Sequence, residues 1–410
     1  MATNVVCDKT VEFELTSSFH LTDDDVSQLW GGLQHNVHWR SAFDDVLLST
    51  RVSLNGVKKQ LDTKDLRSYH AARDALFPLA TSGTQGATTF RNRAGYKLME
   101  SMEVTGVWEQ VTKLCKQNGW RQAAFADVCG GPGAFSQALY ATVPKYFSSK
   151  RSIRGYGMTL LNEGDDTLQW YPNLTGNKQF FVLHGTEGTG NIYPTENLHS
   201  LMAVTRDPSW PLLLVVADGG FDVPFDVAEY QEAISLRIVY GQWVSAVLTL
   251  MRGGCLVLKL FDTFTPFLRS MLYLSTALYD RVHIVKPKHS RVVNSERYLV
   301  CLGFRGCSAS MREYLLKVHE EGFGEDTAPF ALVPHATVSH DAAFCAQVEA
   351  FNATLASTQS QALQMVLASP LLTEAAGSGA AIASAEAEVS TPVAQEQDDD
   401  AAIDSTIAAE

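Results

Sequence analysis

The chain has 410 residues, of which 46% are hydrophobic and 19% are charged, a composition that describes a folded globular protein and excludes a collagen, a wholly disordered chain or a small disulfide-stapled module. The longest apolar stretches, 212–217 and 244–260, are either too short to span a bilayer or interrupted by Arg252 and Lys259, so the sequence predicts no transmembrane helix and no membrane partner. Acidic residues before the first apolar run argue against a signal peptide, and the protein is therefore not expected to be secreted.

Charge is spread unevenly along the chain. The formal net charge is −13, but no Lys or Arg follows Lys317, whereas 15 of the 45 acidic residues do. The first 317 residues therefore carry all 32 basic groups and the remaining 30 acidic groups. Because electrostatic fields are local and are screened within about 10 Å at physiological salt, the acidic total does not exclude RNA binding.

Seven cysteines are scattered through the sequence without a CxxC pair. This spacing indicates reduced thiols in a nuclear or cytoplasmic compartment, and it offers no zinc-ligand pattern. The sequence therefore predicts no metal site.

Composition divides the chain into four segments. Residues 1–70 mix the β-like run Val11–Leu15 with a helical pattern over 24–33, and they are predicted to form an N-terminal extension packed on the core. Residues 71–320 are predicted to form the main domain and residues 321–370 a C-terminal extension. Residues 371–410 contain no aromatic residue and include an acidic run at 398–400, so they are predicted to be a disordered acidic tail, either simply solvated or acting as a docking arm.

Strand and helix signals alternate through the main domain. Strands are predicted, in chain order, over 123–128, 153–158, 179–183, 212–217 and 255–260. Helical stretches over 135–140, 195–204, 227–250 and 266–279 lie between them. This alternation predicts an α/β fold with a mostly parallel sheet and helices on both faces, while the runs 281–286 and 297–304 predict an antiparallel hairpin at the sheet edge.

The sharpest local signal is the segment Asp127-Val-Cys-Gly-Gly-Pro-Gly-Ala-Phe135, which closes the first of these strands and opens a helix. Glycines at the carboxyl end of a parallel strand let a ligand approach the backbone, although an ordinary strand-to-helix connection is also compatible with them. The segment is not a dinucleotide fingerprint, because it lacks GxGxxG with an acidic residue about twenty positions on.

Two charged residues mark the ends of other predicted strands. Asp218 follows the strand 212–217, and Lys259 lies near the end of the strand 255–260. Each alone is explained by an N-cap aspartate or by a lysine that extends to solvent. Parallel strands would bring both to the same edge as the glycine-rich turn, so together they favour a functional site.

Five ordered motifs resemble the FtsJ-like (RrmJ-type) RNA 2'-O-methyltransferases. They are Asn92-Arg-Ala-Gly-Tyr-Lys97, Phe125 to Ser136, Ala217-Asp-Gly-Gly-Phe221, Lys259 to Phe267, and Lys286-Pro-Lys-His-Ser-Arg291 followed by Asn294-Ser-Glu-Arg-Tyr298. The resemblance covers roughly residues 70–310, and within the family the motifs look most like those of the eukaryotic cap methyltransferases that modify the first transcribed nucleotide. It implies a Rossmann-like, S-adenosylmethionine-dependent methyltransferase.

The resemblance implies a catalytic tetrad of Lys97, Asp218, Lys259 and Glu296. A ribose 2'-hydroxyl is a very weak acid, so its attack on a sulfonium methyl group requires a positioned base and a held nucleophile. Lys259 is expected to be the base, with burial and the charge of Lys97 disfavouring its ammonium form. The two carboxylates are expected to orient the lysines and the hydroxyl, and the four groups should titrate as one coupled unit.

For the methyl donor, S-adenosyl-L-methionine, the resemblance implies contacts from the glycine-rich turn, from the helix before it and from a later loop. The residues are Asn92, Asp127, Cys129, Gly130, Gly131, Pro132, Gly133, Ala134, Phe135, Asn191 and Ile192. Ala134 stands where the family usually has another glycine, and Asn191 stands where an acidic residue is common. The second strand ends Gly157-Met-Thr-Leu160, so no carboxylate there is offered to ribose hydroxyls.

For m7G-capped RNA, the resemblance implies contacts before the first catalytic lysine, after the catalytic aspartate and beside the last motif. The residues are Arg73, Phe77, Arg91, Glu229, Tyr230, Gln231, Ser290 and Arg291. Lys286, Lys288 and His289 add basic groups that suit phosphate positioning, although each one singly is also compatible with a solvated surface charge.

The favoured function is therefore cap-dependent mRNA 2'-O-methylation in the nucleus, or otherwise in the cytoplasm, with the transcription or capping machinery as a candidate partner. One alternative is methylation of a later cap nucleotide or of uncapped structured RNA such as ribosomal RNA. Another is a pseudo-methyltransferase that binds RNA or a polymerase without catalysis. The intact set of four ionisable residues argues against this last alternative.

Overall fold

Ten strands are found in the part of the chain that the computed structural model describes, namely residues 10–20, 22, 26–27, 29, 35–78, 90, 92–147, 152–161, 166–221 and 223–374. They are β1 (Val11–Leu15), β2 (Asn36–His38), β3 (Ala123–Val128), β4 (Ile153–Met158), β5 (Phe180–Leu183), β6 (Leu212–Ala217), β7 (Cys255–Leu260), β8 (Tyr279–Lys286), β9 (Arg297–Phe304) and β10 (Thr327–Pro329). Every strand predicted from the sequence is present. Most of the predicted helical pattern at 24–33, and residues 375–410 of the predicted tail, lie outside the described residues.

The larger sheet has eight strands in the order β1-β8-β9-β7-β6-β3-β4-β5. Strands β7, β6, β3, β4 and β5 run parallel to one another, whereas β9 is antiparallel to β7, and β8 and β1 continue the antiparallel part. The predicted mostly parallel sheet with an antiparallel hairpin is therefore confirmed. The N-terminal segment adds β1 outside that hairpin, and β2 pairs with β10 in a separate two-stranded sheet.

Thirteen α-helices connect or flank these strands within the described ranges. They are α1 (Leu48–Lys58), α2 (Leu66–Leu76), α3 (Arg93–Thr105), α4 (Val107–Asn118), α5 (Ala134–Tyr146), α6 (Pro172–Thr175), α7 (Thr195–Thr205), α8 (Gln231–Ile234), α9 (Leu236–Thr249), α10 (Pro266–Leu278), α11 (Ala309–Glu321), α12 (His335–His340) and α13 (Ala342–Leu367). None of these described helices is both long and apolar enough to cross a bilayer.

The central strands are buried on both faces. Every residue of β3 and of β6 is buried, which explains why both read as continuous apolar runs rather than as alternating patterns. Side chains of α3, α4 and α5 pack on one side of the sheet, and those of α7, α9, α10 and α11 pack on the other. The prediction of helices on both faces is confirmed.

The helix predicted over 227–250 is wrong as a single element. A 3-10 helix covers Phe225–Tyr230, and α8 and α9 follow with a break at Ser235, whose φ and ψ are −83° and −1°. Ala233, Leu236 and Tyr240 are nevertheless all buried. The buried apolar residues keep a helical spacing across the break, so the sequence pattern does not reveal it.

Segments at both ends of the chain pack against the main sheet and against each other. Leu54 of α1 belongs to the same buried cluster as residues of β6 and β7. A second cluster joins Val57 of α1 and Ala72 of α2 to Leu363 of α13. The first residues of the predicted tail also make contacts, because Glu374 forms a backbone bridge with Lys64. These contacts hold α1 against the main sheet and join α1 to α13.

Replacing Leu54 with alanine is expected to lower the free energy of unfolding by about 2–5 kcal/mol, because it removes buried methyl groups and leaves a cavity. Leu54 is 0% exposed. Val52 lies in the same helix but is 58% exposed, so Val52→Ala is the matched control and should change stability by less than about 0.5 kcal/mol. Chemical denaturation of both variants measures the difference, and equal stabilities would contradict the packing of α1 on the core.

Candidate active site

Strand pairing brings the predicted catalytic residues to one edge of the sheet. Ala217 of β6 is the partner of Leu258 of β7, so Asp218 and Lys259 follow these positions side by side. Leu260 of β7 is the partner of Arg297, the first residue of β9, so the residue before β9 reaches the same edge. That residue is Glu296, and Lys97 approaches it from α3.

The four side chains form two ion pairs. The Lys97 Nζ lies 2.9 Å and 2.8 Å from the two carboxylate oxygens of Glu296. The Lys259 Nζ lies 3.3 Å from Asp218 Oδ1 and also donates to the Asp218 carbonyl oxygen. The four side chains are between 13% and 23% exposed. They are therefore largely sheltered from water, although part of each side chain still reaches solvent.

Tyr298 connects the two ion pairs and was not assigned a role by the sequence. Its buried hydroxyl lies 3.2 Å from Asp218 Oδ1 and 3.1 Å from Glu296 Oε1. Burial, together with the two carboxylates, raises the pKa of Tyr298 well above its ordinary value, so the phenol remains a donor. Alternate residues of a β-strand share a face, so residues 296 and 298 lie on the same side. This spacing could have pointed to Tyr298 from the sequence alone.

A third lysine lies behind Glu296. The Lys286 Nζ donates to the backbone carbonyl of Glu296 at 2.7 Å and to that of Asn294. Loss of hydration lowers the pKa of Lys286 to about 7. Burial alone would raise the pKa of Glu296, but the ammonium groups of Lys97, Lys259 and Lys286 lower it to about 2. Glu296 is therefore ionised throughout the physiological pH range.

The glycine-rich turn lies beside this cluster, at the carboxyl end of β3. Cys129 has a φ of +56°, and Gly133 has a φ of +107° at the start of α5. A Cβ on Gly133 would lie 2.3 Å from a methyl carbon of Leu174, so both the backbone conformation and the packing require glycine there. A Cβ on Gly219 would lie 2.5 Å from the Cys129 Cβ, which shows how closely the turn approaches the segment after Asp218.

Asp127 is placed beneath the turn, not on its surface. It is 0% exposed, and its Oδ2 accepts hydrogen bonds from the backbone N–H of Ser136 at 3.0 Å and from the Ser136 hydroxyl at 2.6 Å. Its Oδ1 has no hydrogen-bond partner among the described residues. Burial raises the pKa of Asp127 to about 7. This carboxyl group holds the first turn of α5 in place under the loop.

The other predicted cofactor residues lie at the start of α3, in a loop near His319, and in the glycine-rich turn and the first turn of α5. Asn92 caps α3, and its side-chain amide lies 3.5 Å from the hydroxyl of Tyr171, whose backbone N–H donates to Pro132 at 2.9 Å. Asn191 and Ile192 lie in a loop that is held from behind, since the Ile192 carbonyl lies 3.0 Å from a ring nitrogen of His319. Gly130 is buried in the turn, and Ala134 and Phe135 are buried in the first turn of α5. Gly131 is half-buried.

The predicted RNA-contacting residues fall into two groups. In the first, Arg73 pairs with Asp74 at 2.9 Å, and Arg291 pairs with the same carboxylate at 3.0 Å. Ser290 belongs here because its hydroxyl donates to the Glu296 carbonyl at 3.0 Å. Phe77 is buried in the cluster that joins α1, α2 and α13, and Arg91 lies outside the described residues.

The second group follows the segment after Asp218. Glu229 pairs with Lys59 at 3.1 Å, and the Tyr230 ring packs edge-on against Trp39 with centroids 5.1 Å apart. Gln231 is the first residue of α8 and is half-buried. This group therefore packs on the N-terminal segment, a contact that no sequence pattern predicted.

An open α/β sheet with a glycine-rich first turn, and with lysine and carboxylate side chains gathered at its carboxyl edge, has the form of a Rossmann-like ligand-binding fold. Residues 90–304 match the FtsJ-like methyltransferase family. The chain belongs to that family.

Three relatives make the likeness more specific. The "Cap-specific mRNA (nucleoside-2'-O-)-methyltransferase 1" of Trypanosoma cruzi is 49% identical over 364 residues, which cover 88% of this chain and 98% of that protein. The protein of the same name from Trypanosoma brucei brucei is 48% identical over 366 residues, covering 88% and 95%. The "Inactive cap-specific mRNA (nucleoside-2'-O-)-methyltransferase 1B" of Caenorhabditis briggsae is 32% identical over 250 residues, covering 58% and 28%.

Proposed function

We propose that this chain transfers a methyl group from S-adenosyl-L-methionine to the ribose 2'-hydroxyl of the first transcribed nucleotide of m7G-capped RNA, converting cap 0 to cap 1. The observation that carries the proposal is the pairing of Lys97 with Glu296 and of Lys259 with Asp218 at one sheet edge. The names of the two trypanosome relatives support the cap-specific substrate. The inactive relative shows that family membership alone does not imply catalysis, so the intact ion pairs matter.

The four side chains suit a reaction that must activate a weak nucleophile. When bound, the methyl donor would supply an electrophilic methyl group on a sulfonium centre and would leave as the neutral thioether S-adenosylhomocysteine once its sulfur–methyl bond breaks. Lys259 is positioned by Asp218 to hold the 2'-hydroxyl and to receive its proton as the new C–O bond forms. Lys97, fixed by both oxygens of Glu296, places a second positive charge beside the oxygen as negative charge develops on it. Tyr298 keeps the two carboxylates at a fixed separation.

The residues around the glycine-rich turn fit S-adenosyl-L-methionine. Cys129, Gly131 and Pro132 are half-buried, so the turn leaves backbone and small groups accessible to a ligand. The buried carboxyl of Asp127 has one oxygen beneath the turn without a hydrogen-bond partner in the described part of the chain, and its ionised form would favour a positive charge above it. We infer that the turn holds the methionine part of the cofactor and that Asn191 and Ile192 lie along its adenosine.

The arginine group beside Glu296 suits the phosphates of a capped RNA. Arg73 and Arg291 share the single carboxylate of Asp74. Burial, followed by the positive charges of Arg73 and Arg93, lowers the pKa of Arg291. An excess of guanidinium groups over carboxylates favours binding of an anion, and arginine forks match phosphate oxygens. We therefore place the phosphates of the target nucleotide in this group.

Replacing Arg291 with glutamine is expected to raise KM for capped RNA with little effect on kcat, because a phosphate contact positions the RNA without entering the chemistry. The plot of log affinity against log salt concentration should also become shallower by roughly 0.7, the contribution of one phosphate contact on a single strand. Fluorescence anisotropy over a salt series measures that slope. An unchanged slope in the folded variant would remove Arg291 from the phosphate site.

The proposed substrate is tested by radiolabelled methyl transfer to matched m7G-capped and uncapped transcripts, followed by nuclease digestion to locate the methylated ribose. We expect label only on the capped transcript and only at the first nucleotide. Label on a later nucleotide, or on uncapped RNA, would select one of the alternative methyltransferases. Binding of RNA without transfer would favour the pseudo-methyltransferase. The proposed activity places the protein in the nucleus, with the capping or transcription machinery as its candidate partner.

A further inference from the structure

The proposed catalytic carboxylate, Glu296, lies in the segment 293–297. Residues before and after Glu296 in this segment are bonded to other parts of the chain. On one side, the Val293 carbonyl accepts a hydrogen bond from Gln359 Nε2 at 2.7 Å. On the other, the Arg297 guanidinium pairs with Asp262 at 2.7 Å. Between them, the Ser295 hydroxyl lies 2.9 Å from Asp262 Oδ2 and accepts from Lys58 Nζ at 2.9 Å.

Two of these partners come from outside the part of the chain that matches the family. The match covers residues 90–304. Lys58 is the last residue of α1, and Gln359 lies in α13. The match therefore contains Glu296 itself but not the two side chains that hold the residues just before it.

The network around these partners is buried and charged. Gln359 is 4% exposed, and Asp262 is paired with both Lys58 at 3.3 Å and Arg297 at 2.7 Å. Burial would raise the pKa of Asp262, but the two cations lower it below its ordinary value. Removing one partner from a buried charged network leaves the other groups incompletely paired, so the segment would relax to a different arrangement.

We propose that Lys58 and Gln359 are positioning residues for the methyl-transfer reaction: by holding residues 293–295 from α1 and α13, they place the Glu296 carboxylate where it can orient Lys97. The proposal rests on the proposed function for its kinetic readout. The helices α1 and α13 would then do more than stabilise the fold, because they would also position a residue of the active site.

The distances show why a small displacement would matter. Lys97 Nζ is held by both oxygens of Glu296 within 2.9 Å, so a shift of residue 296 also moves the ammonium group. A misplacement of about 1 Å in a positioned catalytic group can reduce the rate by about 100-fold. Binding of the cofactor and of RNA phosphates depends on other residues and should change little.

The test compares the full-length protein with Lys58→Met, Gln359→Leu and the double variant. Gln361→Leu is the matched control, because Gln361 lies in the same helix but is exposed. At saturating cofactor and capped RNA, kcat of each single variant should fall by about 10-fold to 100-fold. KM for RNA and the dissociation constant for S-adenosyl-L-methionine should stay near the parent values. The double variant should lose less than the product of the two single losses, because both act on one segment.

Lys58→Arg keeps a cation that can reach Asp262 and should restore a large part of the rate lost in Lys58→Met. If Lys58→Met fails to fold, Lys58→Arg and Gln359→Leu still decide the question. A folded Gln359→Leu with the parent kcat would overturn the proposal. So would losses that disappear when rates are expressed per folded molecule.

A crystal structure of Gln359→Leu gives a readout that needs no substrate. We expect the Glu296 carboxylate to be displaced and its pairing with Lys97 to be lost. An unmoved Lys97–Glu296 pair would overturn the proposal whatever the activity shows. If instead the pair moves but the parent protein does not methylate capped RNA, the proposed function fails while the positioning of Glu296 by α1 and α13 stands.

Discussion

Replacing Lys259 with alanine is expected to reduce methyl transfer by about 10²-fold to 10⁴-fold, because the variant loses both the group that accepts the proton and the group that holds the hydroxyl. Affinity for S-adenosyl-L-methionine should stay close to that of the parent protein, since the glycine-rich turn and the 191–192 loop remain intact. Single-turnover transfer to capped RNA measures the first quantity, and calorimetric titration of the cofactor measures the second.

Lys113→Ala is the control for this substitution, because Lys113 is an exposed lysine of α4. It should leave both quantities unchanged. A Lys259→Ala variant that retains most of the parent transfer rate would show that the base lies elsewhere. A loss of cofactor affinity equal to the loss of rate would mean that Lys259 serves binding and not chemistry.

The central sheet could be predicted because its strands are buried on both faces. β3, β6 and β7 are short apolar runs that end in glycine or in a charged residue, and the predicted bounds of all three agree with the structure. Burial on two faces removes the alternation that an exposed strand would show. Because the strands themselves are apolar, the polar residues at their carboxyl ends stood out in the sequence and indicated where the site lies.

The contributions of the two chain ends could not be predicted in the same way. β1 was expected as a strand, but its pairing with β8 joins residues more than 260 positions apart. The 26-residue helix α13 is rich in alanine and glutamine, and its contacts with α1 and α2 depend on tertiary packing, which local periodicity does not encode. The hydrogen bond from Gln359 to Val293 is of this kind.

The proposed catalytic residues were identified through the resemblance, and the structure adds partners that the resemblance did not name. Lys97, Asp218, Lys259 and Glu296 are brought together as that resemblance implied. Tyr298 and Lys286 belong to quoted motifs, but only geometry shows that one spans the two carboxylates and that the other holds the backbone of Glu296. Asp127 lies beneath the glycine-rich turn because its carboxyl group caps buried groups of α5.

Replacing Lys97 with methionine is expected to reduce methyl transfer by about 100-fold or more, because the ammonium group beside the developing negative charge is lost. The acidic limb of the pH profile should also move to higher pH. Burial raises the pKa of Glu296 and Lys97 is the first of the cations that lower it to about 2, so without Lys97 the carboxyl group takes up a proton at a higher pH. Residual activity measured between pH 4 and pH 9 should therefore decline earlier on the acidic side than in the parent protein.

Lys97→Arg separates the charge of this side chain from its shape. Arginine keeps a cation beside Glu296, so the acidic limb should stay near that of the parent protein. The planar guanidinium fork is longer and bulkier than an ammonium group, so it can pair with both oxygens of Glu296 only by moving its charge away from the place that Lys97 Nζ occupies, and activity should still be strongly reduced. A fully active arginine variant would mean that charge alone suffices at this position. An unshifted acidic limb in the methionine variant would mean that Lys259 and Lys286 suffice to keep Glu296 ionised, and the role of Lys97 would then be confined to the hydroxyl it faces.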